Sequence, residues 1–221
     1  LKSAIRQTMA DTKITLGYWG VAGLAQPSRF LLAVLGANWE DKVYTAREQW
    51  FDQDKTALGF KFPNLPYLLD GETKITESIA ILKYIAKRFG REDLLGKSPA
   101  DYGLVETYFG VIKDIEVIFG PLVYNEDWKN QLAPTWDKVK DKIHLIESNI
   151  VNEAALGYLT VVDFKLAATA MVLFKVYKDK EGEFKKLTAL RDHVYGLPEV
   201  KKYLEKGVSL LISPFAKLQL E

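Results

Sequence analysis

The chain has 221 residues, 48% hydrophobic and 27% charged, enough for two modest domains with separate cores. Its net charge of +1 offers nothing to attract nucleic acid or an anionic membrane surface. Cysteine is absent, which excludes disulfides, thiolate metal sites and a protein-thiol mechanism, and the two histidines, His144 and His193, are too few and too far apart to suggest a metal centre.

Residues 1–12 read as an N-terminal extension outside the fold. They begin without Met, carry Lys2 and Arg6, and have no acid before Asp11, a composition that suits either a plain disordered extension or a targeting remnant. Lys13 to Tyr18 alternates as a strand. The loop Gly20 to Gly23 follows, then a helix led by Pro27 and stopped at Gly36, then a second strand over Trp39 to Tyr44. Strand, helix and strand at this spacing form a βαβ unit with parallel pairing.

The stretch FPNLPYLLDGETKITESIAI, Phe62 to Ile81, carries the densest local signals. Pro66 is a candidate cis residue, because only X–Pro bonds bring cis close in energy to trans. Tyr67-Leu68-Leu69 reads as a strand, Asp70-Gly71 as a two-residue hairpin turn, and Thr73 to Thr76 as the returning strand. Ser78 opens a helix that runs to Phe89, with Ile79, Leu82, Ile85, Ala86 and Phe89 on its core face. Free N–H groups at such a helix start suit an anionic group. The order predicted for 13–92 is β-α-β-α-β-β-α, a thioredoxin-like layout.

Gly90 to Gly96 reads as a charged linker. Beyond it, 98–221 is predicted to be an all-helical bundle domain. Ser98-Pro99-Ala100-Asp101 is a helix start, and apolar spacing continues through Tyr102–Tyr124, Trp136–Ile150, Asp163–Tyr177, Lys186–Tyr195 and Pro198–Gly207. Thr160 and Asp163, three residues apart, can satisfy orphan N–H groups reciprocally as a capping box. KDKEGEFKK, Lys178 to Lys186, reads as a solvated loop. The longest apolar stretch, Leu166 to Val176, is interrupted by Thr169 and Lys175 and falls short of the ~20 residues of a membrane span.

LGYW at Leu16–Trp19, GLAQPSR at Gly23–Arg29, QW at Gln49-Trp50, FPNLPYLLDG at Phe62–Gly71 and KITESIAI at Lys74–Ile81 together resemble a cytosolic glutathione transferase, most closely the mu class. The resemblance implies that Tyr18 hydrogen-bonds the glutathione sulfur. A thiol has a pKa near ~8.5 and reacts as the thiolate, which a donor aimed at the sulfur favours. A strand-end tyrosine packed on the core is the structural alternative. By the same resemblance Trp19 and Leu24 line the tripeptide, Leu24 through its backbone, and Trp50 and Lys55 hold the glycyl carboxylate. Asn64 and Leu65 hold the cysteinyl backbone beside a cis Pro66. Glu77 and Ser78 take the γ-glutamyl end. Two departures stand out: Glu77 replaces the usual glutamine, and Gly20-Val21-Ala22 replaces a more polar loop that ends in arginine.

In the second domain KDIEVIFGPLVYNEDW, Lys113 to Trp128, is similar to the family's long helix and loop. Asp114 then corresponds to the aspartate that reaches the partner's γ-glutamyl ammonium, and Tyr124 to a second tyrosine over the electrophile. A solvated helix aspartate and a core tyrosine are their structural alternatives. The resemblance further implies a homodimer keyed by Phe62, and an electrophile pocket that includes Val21, Tyr124 and the segment around Pro214-Phe215. The activity implied is conjugation of glutathione to small hydrophobic electrophiles, a cytoplasmic detoxification, with no metal and no cofactor beyond glutathione as cosubstrate. Organelle targeting by the extension is the alternative location. The alternative is a non-catalytic relative serving as a dimeric scaffold, ligand carrier or subunit of a larger assembly.

Overall fold

The computed structural model describes residues 12–207, 213 and 216–218. The chain divides into two compact units. One comprises the described residues up to Arg91 together with those from Leu197 to Gly207; the other runs Glu92–Gly196 and takes in the described residues near the C-terminus. The residues after Gly196, placed with the helical domain by sequence, therefore divide between the units.

The first unit is built on a four-stranded sheet of β1 (Ile14–Trp19), β2 (Trp39–Tyr44), β3 (Tyr67–Asp70) and β4 (Thr73–Thr76), in the order β2-β1-β3-β4. β1 and β2 pair in parallel through the helix α1 (Gln26–Val34), whereas β1–β3 and β3–β4 are antiparallel. The alternation of β1 puts Ile14, Leu16 and Tyr18 in the core. Gly17 is required by a close approach. It lies opposite Tyr67 of β3, and a Cβ there would come within 2.2 Å of the Tyr67 ring. β2 is the edge strand on one side and carries Glu40, Asp41 and Lys42, charges that discourage edge-to-edge pairing.

Between β2 and β3 the chain makes a π-helical segment, Gln49–Asp54, that runs into the single turn α2 (Lys55–Ala57). The sequence order left this helix without boundaries, because its period is neither that of a strand nor that of an ordinary helix. The hairpin differs by one residue from expectation. Asp70 is the last residue of β3, paired with Thr73, and the two-residue turn is Gly71-Glu72, with Gly71 taking the positive φ of 57°. Asp70 is held in the strand because its carboxylate accepts from Arg88 at 2.6 Å and Tyr84 at 2.8 Å, both on α3 (Ser78–Arg88). The core face of α3 is Ile81, Leu82, Ile85 and Ala86; Ile79 and Phe89 are only half-buried.

The second unit contains α4 (Pro99–Val123), α5 (Trp128–Asn149), α6 (Val161–Val176) and α7 (Lys185–Gly196). Ser98 caps α4 by accepting the Asp101 N–H at 3.1 Å, as the sequence predicts. The capping box of α6 is also present: the Asp163 carboxylate accepts the Thr160 N–H at 2.6 Å and the Thr160 hydroxyl at 2.8 Å. α5 begins eight residues before the expected start at Trp136, with Pro134 inside it. The charge run is not an open loop. Lys178–Glu183 is a 3-10 helix anchored by the fully buried Phe184 and by an Arg191–Glu181 ion pair at 2.5 Å. The linker likewise contains a 3-10 turn, Glu92–Leu95, whose Leu94 and Leu95 are buried. The last helix, α8 (Pro198–Leu204), packs in the first unit, with Tyr203 edge-on to Phe30 of α1 and tilted over Trp39 of β2. Among the described residues no helix is long and apolar enough to cross a membrane.

Candidate functional site

Tyr18 lies near the end of β1, 8% exposed. Its hydroxyl accepts the backbone N–H of Leu24 at 3.3 Å. Gly23 makes this approach possible. It sits at φ +40°, and a Cβ on it would stand 2.8 Å from the Tyr18 oxygen. A phenol oxygen that accepts an amide N–H keeps its own proton to donate, and is a better donor for being polarised.

The loop between Tyr18 and Gly23 is held from below by Arg29 of α1, which is completely buried. Its Nη1 donates to the Val21 carbonyl at 2.6 Å and the Ala22 carbonyl at 3.5 Å, and its Nη2 to the Trp19 carbonyl at 3.2 Å. Nε donates to Asp41 Oδ1 at 3.2 Å and lies 3.0 Å from Oδ2 as an ion pair. Burial pushes the Asp41 carboxyl up, and Arg29 pulls it back down. The guanidinium carbon lies 5.8 Å from the centre of the Tyr18 ring. Sequence reasoning used Arg29 only as part of a motif, since its partners are backbone carbonyls and an aspartate on another strand.

Trp50, on the π-helical segment, is buried and stacks on Tyr67 at 5.8 Å, edge-on to Tyr44 at 5.7 Å. The Tyr44 hydroxyl donates to Asp54 at 2.5 Å and lies 2.9 Å from that of Tyr67, so burial and then the Asp54 carboxylate raise the Tyr44 pKa well above its usual value. Lys55 stands over the ring of Phe51 at 5.2 Å, and Arg47 over the same ring at 4.9 Å, while Trp19 meets Phe51 at 6.2 Å. Trp19 and Lys55 thus share one aromatic neighbour, and Arg47 joins them as a second cation. The sequence signal for Arg47 was its place three residues before Trp50, which was not used.

The Leu65–Pro66 bond is cis, as expected. The Asn64 amide donates to the Glu77 carboxylate at 3.0 Å, and its carbonyl oxygen accepts the Leu65 N–H at 2.9 Å. Glu77, at φ 72°, is the N-cap of α3, and no side chain caps the helix. Ser78 is therefore its first residue, and the turn it opens presents N–H groups that suit a carboxylate. Asn64, Leu65, Pro66, Glu77 and Ser78 are gathered in one place, while Tyr18 and Leu24 form a second group and Trp19 and Lys55 a third.

In the second unit Asp114 of α4 is exposed and accepts from Lys142 of α5 at 2.8 Å. Tyr124, which follows α4, is 58% exposed and so is not a core residue. Pro214-Phe215 and the first eleven residues of the extension lie outside the described residues. Phe62 is 78% exposed. Within the second unit, a groove of about 390 Å³ between α4 and α5 is lined by Leu104, Tyr108, Val111, Leu145 and Val151 among others. Among the described residues no cluster of His, Asp or Glu could hold a metal ion.

Residues 14–87 match the glutathione S-transferase N-terminal domain. The chain is 32% identical over 194 residues to a class-mu 26 kDa glutathione S-transferase isozyme of Schistosoma mansoni, covering 86% of this chain and 88% of that one. It is 30% identical over 215 residues to glutathione S-transferase Mu 2 of Mus musculus, covering 93% and 96%. The solved structure of the glutathione S-transferase Blo t 8 superposes with a TM-score of 0.80 at 29% identity, over 92% of this chain and 99% of that one. A thioredoxin-like unit, a helical unit and these relatives lead to one assignment: the chain belongs to the glutathione S-transferase family, with mu-class enzymes among its relatives.

Proposed function

We propose that the protein conjugates the glutathione thiolate to small hydrophobic electrophiles, with Tyr18 activating the thiol. The observation that carries this reading is the Leu24 N–H at 3.3 Å from the Tyr18 oxygen, which fixes the hydroxyl beside the Gly23–Leu24 backbone. The tripeptide is held by Trp19, Trp50 and Lys55 at its glycyl end, with Arg47 beside them, and by Asn64, Leu65 and Pro66 along its middle. Glu77 and Ser78 receive the γ-glutamyl end. Leu24 lines the site and at the same time orients Tyr18.

Ionisation releases the thiol proton to solvent. The sulfur lone pair then forms a C–S bond as the leaving anion departs, or as a proton is taken up in an addition. Each unit by which the thiol pKa falls corresponds to about 1.4 kcal/mol of preference for the thiolate. Tyr124, exposed after α4, donates to charge that develops on the electrophile. Glutathione is the cosubstrate and no further cofactor enters the chemistry.

The same reading makes the protein a cytoplasmic, detoxifying homodimer. The exposed Phe62 of one protomer fills the α4–α5 groove of its partner, and the partner's Asp114 faces the γ-glutamyl ammonium. Sedimentation of Phe62→Ser is expected to show monomer where the wild type is dimeric, and an unchanged dimer would refute the key. Cell fractionation checks the compartment.

The activity is tested by conjugation of glutathione to an aryl halide by wild type and Tyr18→Phe, with binding of an S-alkyl glutathione measured alongside. Loss of one donor aimed at developing charge predicts a fall of ~10²-fold in turnover with binding kept. Binding without turnover in the wild type would make the protein a carrier. No binding at all would make it a scaffold.

A further inference from the structure

We infer that Arg29 and Asp41 act together as the positioning pair for the Tyr18 hydroxyl, with α8 closing the pair through Tyr203. The inference rests on the transferase reading and names a residue set that the reading does not require.

Its basis is how the loop is oriented. Arg29 takes the carbonyls of Trp19, Val21 and Ala22, the peptide groups that lead from Tyr18 into Gly23. With these oxygens turned to the guanidinium, the Leu24 amide meets the Tyr18 oxygen. A planar fork with five donors can hold several acceptors at fixed angles, which a lysine ammonium cannot do. Arg29 is fully buried and therefore needs a counter-charge, and Asp41 of β2 supplies it at 3.0 Å. This arrangement also accounts for the bland Gly20-Val21-Ala22 sequence. The loop is shaped from below by Arg29, so its own side chains need carry no charge.

Asp41 is the point where a distant part of the chain enters. The Tyr203 ring packs on Phe30, next to Arg29 in α1, and on Trp39, two residues before Asp41 in β2. The charge set against Asp41 is the Arg29 guanidinium from α1, at 3.0 Å. A short helix far along the sequence so completes the support of the loop under Tyr18.

Arg29→Lys and Asp41→Asn test this, each first checked for native circular dichroism. The readouts are the pH profile of kcat/KM for aryl-halide conjugation, the KM for glutathione and the exchange rate of the Leu24 amide. Both variants are expected to move the acidic limb of the profile up by about one unit and to lower kcat/KM at pH 7 by about tenfold. KM for glutathione should change little, and the Leu24 amide should exchange faster. A lysine that restored the wild-type profile would show that charge alone suffices and would overturn the inference. So would folded variants with wild-type profiles, or failure of both to fold, since the pair would then serve only to hold the structure. A wild type without conjugation or glutathione binding would instead overturn the transferase reading, and the amide exchange would still report on the loop.

Discussion

The two units place their candidate residues in opposite physical settings. In the first unit the chain around the site is held by close contacts. Gly17 lies under Tyr67, Gly23 against the Tyr18 hydroxyl, Asn64 on Glu77, and Arg29 on three carbonyls and a carboxylate. In the second unit Asp114, on α4, and Tyr124, just after it, are exposed, Asp114 in an ion pair of exposed side chains and Tyr124 more than half exposed. The difference separates two kinds of constraint on the sequence. The first unit's loop depends on backbone geometry that few residues satisfy, whereas exposed positions accept most side chains at little cost to folding.

The largest expected effect breaks the first setting. Gly17→Ala puts a methyl group within 2.2 Å of a Tyr67 ring that is itself stacked on Trp50 and edge-on to Tyr44. With no room for the ring to yield, the loss should be about 3 kcal/mol or more, read as a fall in the urea midpoint. A variant within 1 kcal/mol of wild type would show that Tyr67 is looser than its packing implies.

Asp163 is the exception in the second unit, a buried side chain held as tightly as any in the first. It accepts from Ala155 and Thr160, and Asp163→Asn should cost about 1–2 kcal/mol at neutral pH by unpairing one of those donors. Burial raises its pKa from 3.8 to about 6, against the pull of its hydrogen bonds. A carboxyl raised on folding binds its proton more tightly in the native state. Its contribution is therefore full below the unfolded value and is lost as pH rises through about 6. The gap between wild type and Asp163→Asn should accordingly widen as pH is lowered from 6 to 4. A gap that narrows over that range would mean the hydrogen bonds outweigh burial.

The smallest effect belongs to Lys142→Ala. Its ion pair with Asp114 is exposed on both sides, so the change in unfolding free energy should stay below about 0.5 kcal/mol. A loss above 1 kcal/mol would place Asp114 in the tightly held class.

Local devices were legible in the sequence: the parallel βαβ unit, the cis Pro66, the Ser98 cap and the Thr160/Asp163 box each depend on neighbours a few residues away. What was missed depends on distant partners. Asp70 joins the strand rather than the turn because Arg88 and Tyr84 reach it from α3. The charged run at Lys178–Glu183 is helical because Phe184 is buried behind it. Ser78 opens its helix as expected, but the positive φ of Glu77 before it, whose side chain meets Asn64, has no local sign. Arg29 carries no local sign of its three carbonyl acceptors, and nothing near Tyr203 announces that it packs beside β2.

The central claim is that the Tyr18 hydroxyl, set by Leu24, stabilises a glutathione thiolate in the first unit. The most direct measurement is the ultraviolet thiolate absorbance of bound glutathione, titrated against pH in wild type and in Tyr18→Phe. The account predicts a thiolate that forms at least one unit below the free-thiol value of ~8.5 in the wild type and returns to that value in the variant, with glutathione still bound. A bound thiol that titrates at the same pH in both proteins would contradict it.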